Sequence, residues 1–303
     1  MTTFDLSYPV LVYLANGVQG SAAVRAALRH GLTVRALVQD RAHVTSQYGP
    51  GVELVEGSLD DPASLRSASH GVRHAIVQVP IGSPDATRSR AAHALAAAEG
   101  LSSFVLRLAS ASRPAPCEEP GFVASHAIEV AARQTGIPFA TVRPTMYLDN
   151  LLKPSAREEI VHDGVFAPPI PVSQRIAWTS VDDCAEAAIT LLVRGAMGGD
   201  HCIAGPESLT GDELAERLSA GFGHPIVYRG QSLAEFERDI DAAAGAGMGR
   251  RVSSKFRYFA DHPDEADRIL ATAYVATPEL AGFVPTSATA WARAHRDAFG
   301  FAE

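Results

Sequence analysis

Four side chains have the chemical types needed to move a proton or to hydrogen-bond a reacting carbonyl group. His126, in PGFVASHAIEVAA, can exchange a proton near neutral pH, and the phenol of Tyr147 can donate one. Ser110 and Ser112, in LASAS, can hydrogen-bond a carbonyl oxygen. Structural roles explain the same residues: a polar residue in the first turn of a helix, a packed ring, and hydroxyls that bond the backbone at a strand end. His126 and Tyr147 are the candidates for acid catalysis.

Motifs of several other enzyme classes are absent from the sequence. It has no G-x-S-x-G, no H-E-x-x-H and no P-loop lysine. The acidic pairs of SLDDPASL and SVDDCAEA precede helices, so capping explains them, with Asp182 or Asp183 as the predicted cap of the later helix. Cys117, Cys184 and Cys202 lie far apart without C-x-x-C spacing. This spacing predicts isolated reduced thiols and no metal site.

The stretch VLVYLANGVQGSAAVRAAL, residues 10–28, has the order strand, glycine turn, helix. In a dinucleotide-binding loop, the glycines close the turn and let the backbone approach the pyrophosphate. Gly17 and Gly20 keep the spacing of the second and third glycines, but Leu14 stands where the first is usual. Because leucine disfavours positive φ, we expect the turn to begin in an ordinary conformation and the leucine side chain to crowd one wall of the phosphate site.

Gln39, Asp40 and Arg41 follow the second predicted strand, where the adenosine ribose of a dinucleotide would lie. An acid at this point binds the ribose hydroxyls of NAD, and a base accepts the 2′-phosphate of NADP. Asp40 favours NAD and Arg41 favours NADP, while a solvated loop explains either charge equally well. The sequence therefore leaves the cofactor open between NADP and NAD.

An alternation of short apolar runs and helical stretches must position these residues, from Pro9 to about Val142. The apolar runs are VLVYLA, LTVRALV, VELVEG, HAIVQVP, SFVLRLAS and PFATVRP. The helical stretches between them each end at a glycine. Strands joined by crossover helices predict an α/β fold with a doubly wound parallel sheet.

The rhythm of the sequence changes after Pro144. A proline-rich stretch predicts part of a lid, and RIAWTSVDDCAEAAITLLV then predicts a strand and a helix, with HCIAG as one more strand. The remainder, from LTGDELAERLSAGFG onward, is helical and polar, and GAGMGRRVSSKFR has the composition of a mobile connector.

The composition is that of an ordinary globular protein with a mildly acidic surface. The 303 residues are 47% hydrophobic and 20% charged, with a net charge of -8. Phosphate binding favours a basic face, so the charge argues against nucleic acid as a partner. No basic segment precedes a long apolar run, and no run approaches the roughly 20 residues that cross a bilayer. We expect a cytoplasmic protein without a membrane segment.

Six stretches carry a family resemblance: NGVQGSAAVRAALRHGLTVRALVQD, EGSLDDPASLRSASHGV, GIPFATVRPTMYLDNL, WTSVDDCAEAA, HCIAGPESLTGDELAERL and TSATAWARAHRDAF. They cover the chain from end to end, and in these stretches it resembles the NmrA-like branch of the atypical short-chain dehydrogenase/reductases. The resemblance implies a Rossmann dinucleotide-binding domain of residues 1–150 and 176–205. It also implies a smaller, mainly helical C-terminal substrate or partner domain of residues 151–175 and 206–303.

The resemblance further implies which positions contact an NAD(P) cofactor. They are Asn16, Gly17, Val18, Gln19 and Gly20 around the pyrophosphate, Gln39 and Arg41 at the adenosine ribose, Ser58 and Leu59 at adenine, and Val79 and Pro80 at the nicotinamide ribose. Residues 144–147 would approach the nicotinamide. Leu14 and Gln39 depart from the small residue and the arginine usual in the family, which bears on affinity and on NADP preference.

The usual catalytic pair of the related enzymes is missing. Short-chain dehydrogenases commonly use a tyrosine whose pKa is lowered by a lysine four residues later, but no Y-x-x-x-K occurs here. In isoflavone-reductase-like relatives a lysine occupies the position of Ser125, beside His126.

Two functions are compatible with this absence. One is an NAD(P)H-dependent oxidoreductase that reduces a small apolar carbonyl or quinone-type substrate, with the proton coming from solvent, Tyr147 or His126. The other is a non-catalytic NAD(P)-binding redox sensor that signals to a regulatory protein partner. A third possibility is that Leu14 closes the cofactor site.

Overall fold

A computed structural model describes residues 7–42, 44, 48–49, 51–112 and 118–301. Cys117 lies outside these residues, whereas Cys184 and Cys202 are free thiols. The strands are β1 (Val10–Val12), β2 (Val34–Val38), β3 (Val52–Glu56), β4 (His74–Val77), β5 (Ser103–Arg107), β6 (Phe139–Pro144), β7 (Val165–Phe166), β8 (Asp200–Ile203) and β9 (Val227–Tyr228).

The helices alternate with the strands at first and then dominate the C-terminal part. They are α1 (Val18–Arg29), α2 (Pro62–Ser69), α3 (Pro84–Ala96), α4 (Pro120–Gln134), α5 (Pro154–Asp163), α6 (Val181–Val193), α7 (Gly211–Phe222), α8 (Leu233–Ala244), α9 (Met248–Val252), α10 (Ser254–Asp261), α11 (Pro263–Ala266), α12 (Ala288–Ala294) and α13 (Arg296–Phe299). Short 3-10 segments occupy Leu148–Leu152 and Pro278–Leu280, and one π-helical turn spans Asp267–Ala271.

The main sheet has seven parallel strands in the order β3-β2-β1-β4-β5-β6-β8. All six apolar runs predicted as strands form strands, and HCIAG contributes β8. Because the helices lie on both faces of the sheet, α1 and α6 on one and α2, α3 and α4 on the other, the sheet is doubly wound, as in Rossmann folds. The predicted α/β fold class is confirmed. A separate pair of strands, β7 and β9, is also parallel.

Two apolar layers cover the sheet because its strands are buried on both faces. On one face, Val10 and Val12 pack with α1 and α6. On the other face, Leu11 and Ala75 pack with residues of α2, α3 and α4. A third apolar cluster packs the C-terminal helices against α4 and the segments after β5 and β6, with Phe222, Trp291 and Phe299 among its largest members. Most members of this third core follow residue 150 in the chain.

Two local predictions within residues 175–183 are wrong. RIAWTS forms isolated bridges from Ile176 to Leu209 and from Thr179 to Tyr147, rather than a strand. The cap of α6 is Ser180, whose Oγ accepts from the Asp183 amide at 3.0 Å, not Asp182 or Asp183. The Asp183 carboxylate instead accepts hydrogen bonds from the amide and hydroxyl of Thr286 at 3.0 and 2.8 Å. Asp183 thus joins α6 to the C-terminal segment.

The predicted mobile connector GAGMGRRVSSKFR is also wrong as a local structure, because most of it lies in α9 and α10. Of the helices that the structure describes, none has both the length and the apolar character needed to cross a membrane. Among the same residues, no three His, Cys, Asp or Glu side chains are grouped so that they could hold a metal ion.

An enclosed ion pair fastens α4 to the sheet. Glu129 of α4 is 1% exposed, and its two carboxylate oxygens accept from Arg143 of β6 at 2.8 and 2.7 Å. Arg143 also donates to Ser112 Oγ and approaches the half-exposed Asp200 at 3.1 Å. Fork-to-fork pairs of this kind are strong and directional. The pair therefore fixes α4, β6 and the loop after β5 against one another.

We expect Glu129→Ala to lower the free energy of unfolding by about 3 kcal/mol, because it leaves the Arg143 guanidinium buried without its bidentate carboxylate. Urea unfolding followed by circular dichroism would measure this change. The matched control is Glu158→Ala on the exposed side of α5, for which we expect a change within about 0.5 kcal/mol. Equal unfolding midpoints for the two variants would contradict the prediction.

Candidate functional site

The segments predicted to bind the cofactor meet at one edge of the sheet. They follow the carboxyl ends of β1, β2, β3 and β4, which parallel pairing brings to the same side. From β1 the strand order runs through β2 to β3 in one direction, whereas β4, the neighbour of β1 on its other side, is followed by β5 and β6 in the opposite direction. Open parallel sheets bind ligands in the crevice at such a switch point. The structure thus brings together the positions that the sequence suggested.

In the turn after β1, the backbone of Leu14 differs from the prediction. Leu14 has φ of 52°, in the left-handed region, so the expectation of an ordinary conformation is wrong. The Leu14 carbonyl accepts from the Gly17 amide at 3.0 Å and closes the turn. A Cβ atom on Gly20 would stand 2.0 Å from the same carbonyl oxygen. The turn therefore accepts leucine at its start but requires glycine at position 20.

The N-terminus of α1 presents its backbone to solvent. Asn16, Gly17 and Val18 are exposed, with Val18 at 65%. Gly17 is the N-cap and supplies no side-chain hydrogen bond, and the first turn of α1 contains no acid. Amides at a helix N-terminus without such groups are suited to an anion such as a pyrophosphate. The residues present therefore fit a dinucleotide at this point.

Two side chains hold the first turn of α1 against the sheet. Gln19 Nε2 donates to the carbonyl of Ala109, just after β5, at 3.0 Å. The buried guanidinium of Arg107 donates to the Gln19 carbonyl and, at 2.8 Å, to the Val181 carbonyl in α6. The Gln19 side chain is therefore engaged by the carbonyl of Ala109, and its own carbonyl group is engaged by Arg107.

Gln39, Asp40 and Arg41 are all exposed after β2. Asp40 Oδ1 accepts from the Ala42 amide at 2.8 Å, which folds that carboxylate back on its own turn. The Arg41 amide donates to Glu56 at the end of β3, at 3.0 Å. These contacts place the three residues beside the end of β3, a position that suits a ribose site. One carboxylate oxygen of Asp40 is already occupied by a hydrogen bond within the loop.

The remaining predicted cofactor contacts flank the crevice more deeply. The Ser58 amide donates to Ser64 Oγ at 3.1 Å, and Leu59 is 4% exposed. Val79 is 2% exposed, while Pro80 is half-buried at the end of the segment after β4. These residues form walls of the crevice, which suits contacts with planar rings rather than with charged groups.

A cavity of about 390 Å³ adjoins the crevice. On the sheet side it is lined by Ile81 after β4, by residues 109–111 after β5, and by residues 145–147 after β6. On the other side it is lined by α9 and α10, including Met248, Val252, Phe256 and Phe259. This size is within the range of pockets that hold a small organic ligand.

Lys255 is a cavity residue that the sequence analysis missed. Its ammonium group donates to Ser110 Oγ at 2.9 Å, to Ser125 Oγ at 3.2 Å and to the Ala111 carbonyl. Ser125 is the position at which the isoflavone-reductase-like relatives were expected to carry a lysine. An ammonium group therefore stands beside that position, although it comes from α10 rather than α4.

The periodicity of residues 248–259 was the available signal for this part of the cavity. Met248, Val252, Phe256 and Phe259 recur at intervals of four, four and three residues, which is the spacing of a helical apolar face. The glycines and serines around them suggested a loop instead. The bonds from Lys255 to Ser110 and Ser125 span 145 and 130 residues and leave no local sequence signal.

Tyr147 lines the cavity, but its hydroxyl group is enclosed. The residue is 6% exposed, and the hydroxyl oxygen has no hydrogen-bond partner within the described part of the chain. Burial, together with the neighbouring Cys184, raises the pKa of the Tyr147 phenol well above its usual value, and Arg107 opposes this shift. The phenol therefore stays protonated at neutral pH.

His126 lies in α4 beside Ser125, and it is not among the residues that line the cavity. Its Nδ1 atom is buried and has no hydrogen-bond partner among the described residues. Ser110 and Ser112 bond side chains, Lys255 and Arg143 respectively, rather than the backbone partners expected at a strand end. Of the two predicted acid catalysts, the structure brings only Tyr147 to the cavity wall.

The chain has relatives of known activity along its whole length. It is 28% identical over 298 residues to an NAD(P)H azoreductase from Xenophilus azovorans, a match that covers 97% of this chain and 100% of that protein.

Solved structures repeat the same fold. A triphenylmethane reductase from Citrobacter sp., complexed with NADP(H), has a TM-score of 0.71 at 20% identity, covering 88% of this chain and 96% of that one. An NADPH-dependent quinone oxidoreductase from Escherichia coli, complexed with NADPH, has a TM-score of 0.70 at 18% identity, covering 93% of this chain and 98% of that one.

The family model described as the NmrA-like family matches residues 8–281, which is most of the chain. This match confirms the resemblance that the six sequence stretches indicated. The chain belongs to the NmrA-like family.

Proposed function

We propose that this chain is an NAD(P)H-dependent reductase of a small apolar carbonyl or quinone-type substrate. The observation that carries the proposal is the position of the cavity. Ile81, directly after the proposed nicotinamide-ribose contacts Val79 and Pro80, forms part of its wall. A substrate in the cavity would therefore lie at the nicotinamide end of a bound dinucleotide. The azoreductase and quinone oxidoreductase among the similar proteins support the same class of reaction.

The exposed turn and the loops around it would hold the cofactor. Residues 16–20 would surround the pyrophosphate, with Gly17 offering close backbone approach rather than its amide, which already donates to the Leu14 carbonyl. Gln39 and Arg41 would flank the adenosine ribose, and Ser58 with Leu59 would lie against adenine. When bound, a reduced nicotinamide supplies a hydride. Leu14 does not obstruct this arrangement through the backbone, because its carbonyl oxygen closes the turn onto Gly17.

The cavity walls would hold a planar substrate and exclude water. Met146, Val252 and Phe256 offer apolar surface on both sides of the space. A quinone or conjugated carbonyl is already electrophilic, so it accepts a hydride without the tyrosine and lysine pair. The negative charge left on the substrate oxygen is then neutralised by a proton from water, or from Tyr147 or His126 as candidate donors.

The first test titrates the purified protein with NADPH and with NADH, follows nicotinamide fluorescence, and then adds a small quinone. We expect dissociation constants within about 1 μM to 1 mM, a range typical of enzyme ligands, followed by oxidation of the bound cofactor. Binding without oxidation of the cofactor would favour the redox sensor that acts on a regulatory partner. Failure to bind either cofactor would mean that the site is closed and the proposed function is wrong.

A second test addresses the choice between the two cofactors. We expect Arg41→Ala to weaken NADPH binding about tenfold and to change NADH binding little, because only NADPH offers a 2′-phosphate to the guanidinium. Asp40→Ala is the matched variant of the neighbouring charge and should not weaken NADPH binding. Equal losses for both cofactors with Arg41→Ala would show that Arg41 supports the loop rather than the phosphate.

A third test examines the proton donors. We expect Tyr147→Phe and His126→Ala each to retain kcat for a quinone within about tenfold, since water can supply the proton and a positioned general acid would contribute about a hundredfold or more. Stopped-flow oxidation of NADPH would measure the rate of the chemical step. A loss of a hundredfold or more in one variant, with cofactor affinity unchanged, would identify that residue as the donor.

A further inference from the structure

The wall of the cavity formed by α9 and α10 carries cations as well as apolar groups. Arg251, in α9, and Lys255, in α10, form one face of the cavity together with Met248, Val252 and Phe256. Arg251 is exposed, and Lys255 is half-buried. The face therefore combines an apolar surface with one cation that is accessible from solvent and one deeper cation.

A third basic residue reaches the same cavity from another element. Lys153 is the N-cap of α5 and is exposed beside Asn150 in the cavity wall. None of the residues that line this cavity in the described part of the chain is acidic. The whole chain has 34 acids and 26 basic residues, so a lining with three basic residues and no acid runs against the composition. Lys153 also lines an adjacent cavity of about 170 Å³, whose wall includes the acids Glu159 and Asp239.

The deeper cation is held in a fixed place. Lys255 Nζ lies 2.9 Å from Ser110 Oγ and 3.2 Å from Ser125 Oγ, and it stands 4.9 Å from the centre of the Phe122 ring. Ser110 follows β5, at the same edge of the sheet as the proposed nicotinamide site. The ammonium group is thus fixed at the sheet end of the cavity, while Arg251 and Lys153 are more open to solvent.

We propose that this site selects organic anions: substrates with a planar apolar body and a carboxylate, sulfonate or phosphate group. The inference rests on the proposed function and narrows its substrate class. The apolar wall would take the ring system, while the acidic group would accept hydrogen bonds from Arg251. Lys255, whose three N–H groups stay on their protein partners, would attract the acidic group through its fixed charge, and Lys153 would add to the positive field. In an apolar cavity a charge is costly unless it is paired, so the arrangement favours an anion and disfavours a cationic or neutral analogue of the same shape.

A matched pair of ligands tests the proposal independently of turnover. The probes are para-methyl red, an azo dye with one carboxylate, and its carboxamide, which has nearly the same shape and no charge. Their dissociation constants are measured by isothermal titration with the protein saturated by the oxidised form of whichever cofactor it binds. We expect the carboxylate to bind about tenfold more tightly, and to lose this advantage when salt rises from about 50 mM to about 300 mM.

Charge-removing variants then assign the preference to named residues. Lys255→Gln and Arg251→Gln should each lower the affinity for the carboxylate, by about tenfold and about threefold respectively, and leave the carboxamide unchanged. The control, Arg293→Gln, removes an exposed charge of α12 outside the cavity lining and should change neither affinity. Because Arg251 is exposed, its variant remains informative if Lys255→Gln fails to fold.

The outcomes separate the two proposals. Equal affinities for carboxylate and carboxamide, or no binding of either, would overturn the substrate class even if the quinone test shows turnover. A preference for the carboxylate with no oxidation of cofactor by any acceptor would leave the anion site in place and overturn the reductase. A preference that survives in both variants would show that other groups bind the anion and that these cations do not.

Discussion

A buried arginine at the carboxyl end of β5 is the constraint on which the proposed cofactor edge depends. Arg107 is 1% exposed, and its guanidinium bonds the carbonyls of Gln19 and Val181, each in the first turn of a helix. A buried cation must be satisfied by polar partners, so α1 and α6 are held at fixed positions against the sheet. The Arg107 charge lies next to the first turn of α1, at the positive end of that helix dipole. An anion at this helix terminus would partly offset the cost of burying the guanidinium.

A second series of contacts connects β6 and α4, through the loop after β5, to the helix α10 in the cavity wall. Glu129 fixes Arg143, which also bonds Ser112 and so restrains the loop after β5. Ser110 and Ala111 of that loop accept from Lys255 in α10. The C-terminal helices are therefore tied to the loop after β5 by polar contacts at the cavity itself, in addition to the apolar cluster that contains Trp291. The geometry of the cavity depends on elements that are distant in sequence.

The periodicity of the sequence predicted the strands and helices, which depend on local patterns. It missed the features that depend on contacts between distant segments. The six apolar runs and their crossover helices led to the correct sheet, because buried parallel strands are apolar throughout. The cap of α6 was assigned to Asp182 or Asp183, but Thr286, about a hundred residues away, engages the Asp183 carboxylate and Ser180 is left to cap. Lys255 was missed for a similar reason: its partners lie in two other elements, and the serines and glycines near it resemble a loop.

The glycine turn shows which part of a loop pattern is dispensable. A leucine in the left-handed region costs about 1–2 kcal/mol, an amount that packing of its side chain against the sheet core can offset. A Cβ atom at Gly20, 2.0 Å from the Leu14 carbonyl oxygen, would instead be a steric overlap with backbone that has no side chain to move aside. A non-glycine residue at position 14 therefore costs only a modest conformational energy, whereas any side chain at position 20 is sterically forbidden. Replacement of the first glycine by Leu14 therefore leaves the course of the turn intact, and by itself gives no reason to expect a closed cofactor site.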